Sequence, residues 1–437
     1  MSRRLQAWTW PALAAVAAVA LTFLASTRVV RRPNVVVILV DTLRADHLPF
    51  HGYARDTAPF LTRLAAKGVV FDRAWSTSGW TAPATASLLT SLYPQQHGLV
   101  RPPDPARSQA NRIPQGAETI ARAMRRAGYR TFGVSDNALV SPALGFDEGF
   151  DVFEASVGAS AERVNKWIRD HRAEMNASAP YFLYVHYMEP HEPYLPHQPW
   201  YRVFSNDGAA PEARPRHFVA AYDSEIRALD DSLARLHRAM GWDEGTILVV
   251  TSDHGEEFGD HGAGGHAHSL YSELLHVPLV FHASDGRFTS RHVAEPVSLV
   301  DVLPTLRALL GLPPGARDEG QSLRGLLEGR DEGFDRPLFA HLEQFATGRV
   351  WNATLAGEWK RIELTPGTPL LFNLADDPRE RHALPVDAPG LGAQEADAWL
   401  AGSAGSLAAR LPPLPQPVTV TTSAETLEAL RALGYTR

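Results

Sequence analysis

Two aspartates in this 437-residue chain directly follow runs of apolar, strand-forming residues. VVVILV (35–40) leads into Asp41, and TILVVTS (246–252) leads into Asp253 and His254. A third run, YFLYVH (181–186), ends in His186 and is followed closely by Glu189 and His191. In an open α/β sheet, sites form outside the carboxyl ends of the strands. Carboxylates suit hard divalent cations, and imidazole shifts the preference toward manganese or zinc. Any one strand-end aspartate is more often a cap for the next turn. Three strand ends loaded together make a shared cation site the better reading.

Two further segments could work with such a cation. In SGWTAPATASLLTSLYP (78–94), Leu88, Leu89 and Leu92 recur at helical spacing, and Thr81 stands where that helix would begin. A helix N-terminus offers unbonded N–H groups and a positive dipole end to a phosphate or sulfate. A threonine ahead of a proline is also an ordinary helix start, and by itself it carries no chemistry. The glycine-rich stretch DHGEEFGDHGAGGHAHSLY (253–271) adds His261, His266 and His268. Its place directly after Asp253 favours a role at the site over surface decoration.

The elements that must position these groups alternate along the chain. VVVILV, YFLYVH, TILVVTS and VPLVFH (277–282) read as strands buried on both faces, as in a parallel or mostly parallel sheet. Between them, Val219, Tyr222, Ile226, Leu229, Leu233, Leu236 and Met240 mark one apolar face of a helix. This pattern predicts an α/β fold with helices covering a central sheet. A Pro/Gly-rich stretch at 312–320 precedes a last section of weaker pattern, and LPPLPQPV (411–418) reads as an extended tail. We expect a catalytic domain over 33–335 and a smaller subdomain with tail over 336–437.

Composition narrows the function classes. With 44% hydrophobic and 21% charged residues the body is ordinary for a globular protein. A net charge of -7 without a long basic block argues against nucleic acid as a partner. The absence of cysteine excludes disulfides, thiolate metal ligands and a cysteine nucleophile. Residues 7–26 carry no charge and are flanked by arginines, which is long enough for a bilayer-spanning helix. We therefore expect residues 1–32 to be a membrane anchor, with a cleaved signal peptide as the nearest alternative. The membrane is then a partner, and the catalytic body is expected to be extracytoplasmic, periplasmic or extracellular.

Several segments, in order, resemble the sulfatase family within the alkaline phosphatase superfamily. They are PNVVVILVDTLRADHLPFHGY, TAPATASLLTSLYPQQHG, TSDHGEEFGDHG and HSLYSELLHVPLVF. SLVDVLPTLRALLGLP, LFNLADDPRERHAL and the terminal LRALGYT support them. The resemblance implies an alkaline-phosphatase-like α/β domain followed by a smaller C-terminal α+β domain with an antiparallel sheet. It implies Asp41, Asp253 and His254 as metal ligands and Thr81 as the nucleophile. It also implies substrate contacts from His191 and from His268, with His266 as the alternative.

The departures from the family pattern redirect the chemistry. Where sulfatases carry a C-x-P-S-R motif whose cysteine or serine becomes formylglycine, this chain reads Thr81-Ala82-Pro83-Ala84-Thr85. Thr42 replaces an acidic residue that often follows the first metal-binding aspartate. Threonine forms no aldehyde hydrate, but its alkoxide can attack phosphorus. The expected activity is metal-dependent hydrolysis or transfer of phosphoric esters through a covalent Thr81 intermediate. One divalent ion (Mn, Zn, Ca or Mg) would be held by Asp41, Thr81, Asp253 and His254, with room for a second through Glu189, His191 or the loop histidines. His191 and His268 would neutralise the substrate's anionic oxygens or move a proton. Sulfate-ester hydrolysis without formylglycine and an inactive membrane-bound binding protein are the alternatives.

Overall fold

A computed structural model describes residues 32–101, 109–156, 160–178, 180–206, 216–330, 336–344, 347–385, 392–412, 418–419 and 428. The segment 7–26 and the motif at 430–436 lie outside the described residues.

The central sheet has nine strands. In chain order these are β1 (Asn34–Val40), β2 (Val69–Trp75), β3 (Arg130–Ser135), β4 (Val152–Ala155), β5 (Tyr181–Tyr187), β6 (Thr246–Thr251), β7 (His276–Ala283), β8 (Arg291–Val293) and β9 (Val297–Ser298). Across the sheet they run β8-β2-β7-β6-β1-β5-β3-β4, with β9 also paired to β2. Parallel pairing joins β1 to β5 and β6, and β3 to β4 and β5. The predicted strand at 277–282 forms as β7 but runs antiparallel to both β6 and β2. The sheet is therefore mixed, with parallel pairs in the majority.

β1 shows why its sequence is almost uniformly apolar. Val35, Val37 and Leu39 join the core on one face of the sheet, and Val36, Ile38 and Val40 join the core on the other. Side chains alternate across a strand, so a central strand covered on both faces has no polar position to spare. One cover includes the helix Thr81–Thr90, through Ala82, Ala86, Leu88 and Leu89. The opposite cover is led by the helix Arg216–Met240, whose Val219, Tyr222, Ile226, Leu229, Leu233, Leu236 and Met240 pack as the spacing predicted. The result is a three-layer α/β/α body.

A second sheet of four antiparallel strands follows: β10 (Leu338–Glu343), β11 (Val350–Ala356), β12 (Trp359–Thr365) and β13 (Leu370–Asn373). The helix Ala393–Ala408 packs on it through Ala393 and Leu400, against Ala356 and Leu371. Residues 34–437 cluster as one compact unit.

For the described residues, outside which 7–26 lies, the expectation of a membrane anchor is corrected, and with it the membrane as partner and a membrane-anchored location. Among the described residues no helix is long and apolar enough to cross a membrane. A spanning helix needs about 20 predominantly apolar residues. The 25-residue helix Arg216–Met240 has the length, but charged residues such as Asp223, Glu225, Asp230 and Asp231 interrupt it.

Candidate active site

β1 and β6 are parallel neighbours, with Leu39 opposite Thr251. Asp41 and Asp253, each two residues beyond those partners, therefore leave the sheet at the same edge. Asp41, Asp253 and His254 each offer a ligand atom, all three lying within 4.8 Å of one another, and all three residues are fully buried. His254 Nε2 lies 3.7 Å from Asp41 Oδ1 and 3.5 Å from Asp253 Oδ2. Those two carboxylate oxygens have no hydrogen-bond partner although both are buried. Buried polar atoms are almost always satisfied. Two orphaned oxygens facing an imidazole nitrogen are what a divalent cation site needs, and hard oxygen with nitrogen is a fitting donor set.

The other oxygens of the pair are held in place. Asn137 Nδ2 donates to Asp41 Oδ2 at 2.7 Å, and His186 Nε2 reaches the same oxygen at 3.0 Å. Asp253 Oδ1 accepts the backbone N–H groups of His254 at 2.9 Å and of Thr42 at 3.3 Å. Bonds of this kind to the back of a ligand fix its orientation. Burial, together with the nearby Asp41 carboxylate, pushes Asp253 well above the usual carboxylate range. For Asp41 burial acts in the same direction, but the hydrogen bond from His186 and the neighbouring imidazoles outweigh it and hold its carboxyl low. Two like charges so close cannot both be comfortable without a cation between them.

His254 is prepared as a ligand from behind. Its Nδ1 donates to the Gly255 carbonyl at 2.8 Å, which leaves Nε2 as the bare nitrogen. Burial, and then the neighbouring His266, lower its pKa to about 3, so the ring is neutral. Gly255 is required by close approach: a Cβ there would sit 2.0 Å from the Glu273 carbonyl oxygen. Thr42, between Asp41 and Leu43, has φ 53°, an uncommon conformation for a β-branched residue. It is held by its own N–H on Asp253 and by the Tyr222 hydroxyl, which donates to its carbonyl at 2.7 Å.

Thr81 is the first residue of the helix Thr81–Thr90; Trp80 occupies the cap position and no side-chain cap bond forms there. The Thr81 hydroxyl is thus not spent on helix capping. Its Oγ1 lies 3.3 Å from His254 Nε2, in a fully buried setting. Thr81 Oγ1, Asp41 Oδ1 and Asp253 Oδ2 thus all lie within 3.7 Å of His254 Nε2.

The remaining histidines divide. The His191 ring lies 4.8 Å from the His266 ring, which lies 4.8 Å from the His254 ring. His191 Nδ1 bonds the Glu192 carbonyl at 2.6 Å, while its buried Nε2 has no hydrogen-bond partner. His266 Nδ1 bonds Glu256 Oε1 at 3.0 Å; burial works against its charged form, but Glu256 raises its pKa overall. His268 is turned elsewhere: Nε2 bonds Glu257 Oε2 at 2.7 Å and Nδ1 lies 3.1 Å from the His266 carbonyl. His261 ties Glu273 and the Glu380 carbonyl together and stacks on Tyr271 at 3.6 Å. Glu189 Oε1 accepts the N–H of Ala161 at 2.7 Å, at the start of the helix Ala161–Asp170. Among the described residues, Asp41, Asp253 and His254 form the one group of three such side chains that could hold a metal ion.

Two residues of the site were not singled out by the sequence reading. Asn137 follows β3, a strand whose RTFGVS lacks a continuous apolar run, so the strand-end rule was never applied there. Glu256 lies inside the DHGEE motif, and only its hydrogen bond to His266 separates it from Glu257 in role.

The Sulfatase family model matches residues 33–312. A "Sulfatase" of Formosa agariphila is 23% identical over 425 residues, covering 80% of this chain and 82% of that protein. The "Multifunctional alkaline phosphatase superfamily protein PehA" of Trinickia caryophylli is 25% identical over 468 residues, covering 80% of this chain and 90% of its own. Among solved structures, the phosphonate monoester hydrolase of Agrobacterium radiobacter superposes with a TM-score of 0.73 at 22% identity, over 90% of this chain and 100% of its own. That likeness concerns the fold. With the family model spanning well over half of its length, this chain belongs to the sulfatase family.

Proposed function

We propose that the protein is a metal-dependent hydrolase of phosphoric esters with Thr81 as nucleophile, or a transferase by the same route. The observation that carries this reading is the Thr81 hydroxyl, 3.3 Å from His254 Nε2, the nitrogen that also lies 3.7 and 3.5 Å from the orphaned oxygens of Asp41 and Asp253. Asp41, Asp253 and His254 would hold one divalent ion, manganese or zinc fitting the nitrogen donor better than calcium or magnesium. When bound, such an ion supplies Lewis acidity and lowers the pKa of a hydroxyl beside it.

The chain's own groups carry the rest. Thr81 Oγ1 attacks phosphorus, an Oγ1–P bond forms and the bond to the leaving alkoxide breaks. The bare Nε2 of His191 would accept the threonine proton, and the departing alkoxide takes up one proton from solvent, so that the free alcohol leaves. Water, or an acceptor alcohol in a transferase, then breaks the Oγ1–P bond and restores the hydroxyl. In this reading the catalytic body is 33–335, with 336–437 as its subdomain.

The test is the variant Thr81→Ala. It should fold and bind manganese in titration calorimetry while losing at least about a thousandfold in turnover of an activated phosphodiester. An undiminished rate would end the assignment. Mass spectrometry of wild-type enzyme quenched during turnover should find the phosphoryl group, still carrying its second ester, on Thr81. The sulfatases among the relatives favour a second reading, sulfate-ester hydrolysis, against which the missing formylglycine precursor stands. Aryl sulfate and aryl phosphodiester assayed side by side separate the two.

A further inference from the structure

β5 carries two polar side chains into the core that the nucleophile helix covers. Tyr184 and His186 are two apart, and so on one face of the strand, and both are fully buried. Tyr184 packs in the same core as Ala82 and Ala86 of the helix Thr81–Thr90. His186 stands opposite Leu39 of β1, which brings its ring beside Asp41. Its Nε2 lies 3.0 Å from Asp41 Oδ2, and its Nδ1 lies 3.1 Å from the Tyr184 hydroxyl.

A phenylalanine would fill the core at position 184 equally well. A buried polar group costs stability unless it is bonded, so the hydroxyl needs a purpose beyond packing. As a metal ligand Asp41 is a carboxylate and only accepts, so His186 Nε2 donates to it. A hydroxyl both donates and accepts, and the bond at Nδ1 therefore stands whether the ring is neutral or charged. Burial pushes the Tyr184 phenol well up, and the Thr85 hydroxyl, which approaches it without a hydrogen bond forming, acts the other way. Thr85 lies one helical turn after Thr81. A line of buried polar groups thus runs from the nucleophile helix to the back of Asp41.

We propose that Tyr184 is a positioning residue for the cation site: its hydroxyl fixes the His186 ring, and the ring holds Asp41 Oδ2 so that Oδ1 faces the ion. This rests on the cation site in the reading above and deepens it. Asn137 bonds the same oxygen, so loss of the Tyr184 hydroxyl loosens Asp41 without freeing it. Partners behind a ligand are worth about 10- to 100-fold in metal affinity, and one a step further back belongs at the lower end.

The experiment titrates manganese calorimetrically into the full chain and its variants. Tyr184→Phe should bind about tenfold more weakly than wild type. Tyr187→Phe is the matched control: Tyr187 is buried on the same strand, and its hydroxyl bonds Asn165 Oδ1 at 2.5 Å within the core of the other face. Both changes remove one buried hydroxyl, but only Tyr184→Phe should weaken binding. His186→Gln keeps an amide donor for Asp41 and offers Tyr184 no ring nitrogen, so adding Tyr184→Phe to it should weaken binding no further. Wild-type affinity in Tyr184→Phe, an equal loss in Tyr187→Phe, or a full additional loss in the double variant overturns the proposal. If Tyr184→Phe does not fold, magnetic resonance of isotope-labelled histidine in the wild-type chain decides. His186 Nδ1 should show the shift of a hydrogen-bonded nitrogen, and the shift of a free one overturns the proposal. A wild type that takes up no manganese is a different failure, since it removes the cation site itself and the phosphoryl reading with it.

Discussion

At the scale of single residues, the site depends on groups that face away from the chemistry. Asn137 holds Asp41 Oδ2 with a 2.7 Å bond, and its own Oδ1 accepts the N–H of Leu139 at 2.8 Å, so the amide cannot turn over freely. Asn137→Ala should therefore weaken manganese binding about 10- to 100-fold in titration calorimetry, the usual cost of losing such support. Unchanged affinity would make Asn137 a loop residue and nothing more. Asp41, Asp253 and His254 were legible in the sequence because each follows an apolar run that can only be a buried strand. By local pattern Thr81 reads only as a helix start, and its expectation as nucleophile came from the family resemblance. That its hydroxyl reaches His254 and leaves the cap position to Trp80 is a tertiary fact that no local pattern encodes. The turning of His268 toward Glu257 was equally hidden, since His266 and His268 are two apart on one loop and spacing cannot rank them.

At the scale of elements, close backbone approach and one buried carboxylate fix how the layers dock. Gly255 lies where the loop after β6 passes the Glu273 carbonyl, and a Cβ would overlap that oxygen at 2.0 Å. Gly255→Ala should displace His254 and cost about 1–3 kcal/mol of stability in denaturant unfolding, the range for overpacking. On the opposite face, Asp230 accepts the N–H groups of Phe60 at 2.7 Å and Leu61 at 2.8 Å, at the start of the helix Pro59–Ala65. Burial raises Asp230 to about 7, against the lowering effect of those bonds. An acid whose pKa is raised by folding binds its proton better in the folded state. Its contribution to stability is then full below the unfolded value near 4 and declines as pH rises toward 7, by up to about 1.4 kcal/mol per pH unit. Unfolding of Asp230→Asn followed from pH 4.5 to 7 should show a flatter profile than wild type. Parallel profiles would mean that Asp230 is ionised throughout. The apolar period of the helix Arg216–Met240 was plain in the sequence, whereas the antiparallel course of β7 was not, because a strand buried on both faces reads alike in either direction.

At the scale of the whole molecule, the three-layer body follows from patterns the sequence displays and the second sheet from the family resemblance alone, but the site stores a conflict that only its surroundings resolve. The sheet brings the carboxylates of Asp41 and Asp253 together in a buried cluster, with one oxygen of each unpartnered. Folding without a cation must then either protonate Asp253, which burial and Asp41 already favour, or tolerate two adjacent charges. Chelation should consequently lower the melting temperature of the full chain, and manganese at a hundredfold excess over Kd should restore about 3 kcal/mol. Asp253→Asn separates this account from a merely structural role for the aspartate. It removes one charge and keeps an acceptor for the His254 and Thr42 N–H groups, so the chelated variant should melt at or above chelated wild type. On adding manganese the order should reverse, with wild type rising and the variant staying where it was. A variant that melts far below chelated wild type would mean that the carboxylate is needed for the fold itself, and the two aspartates would no longer read as a pair waiting for a cation.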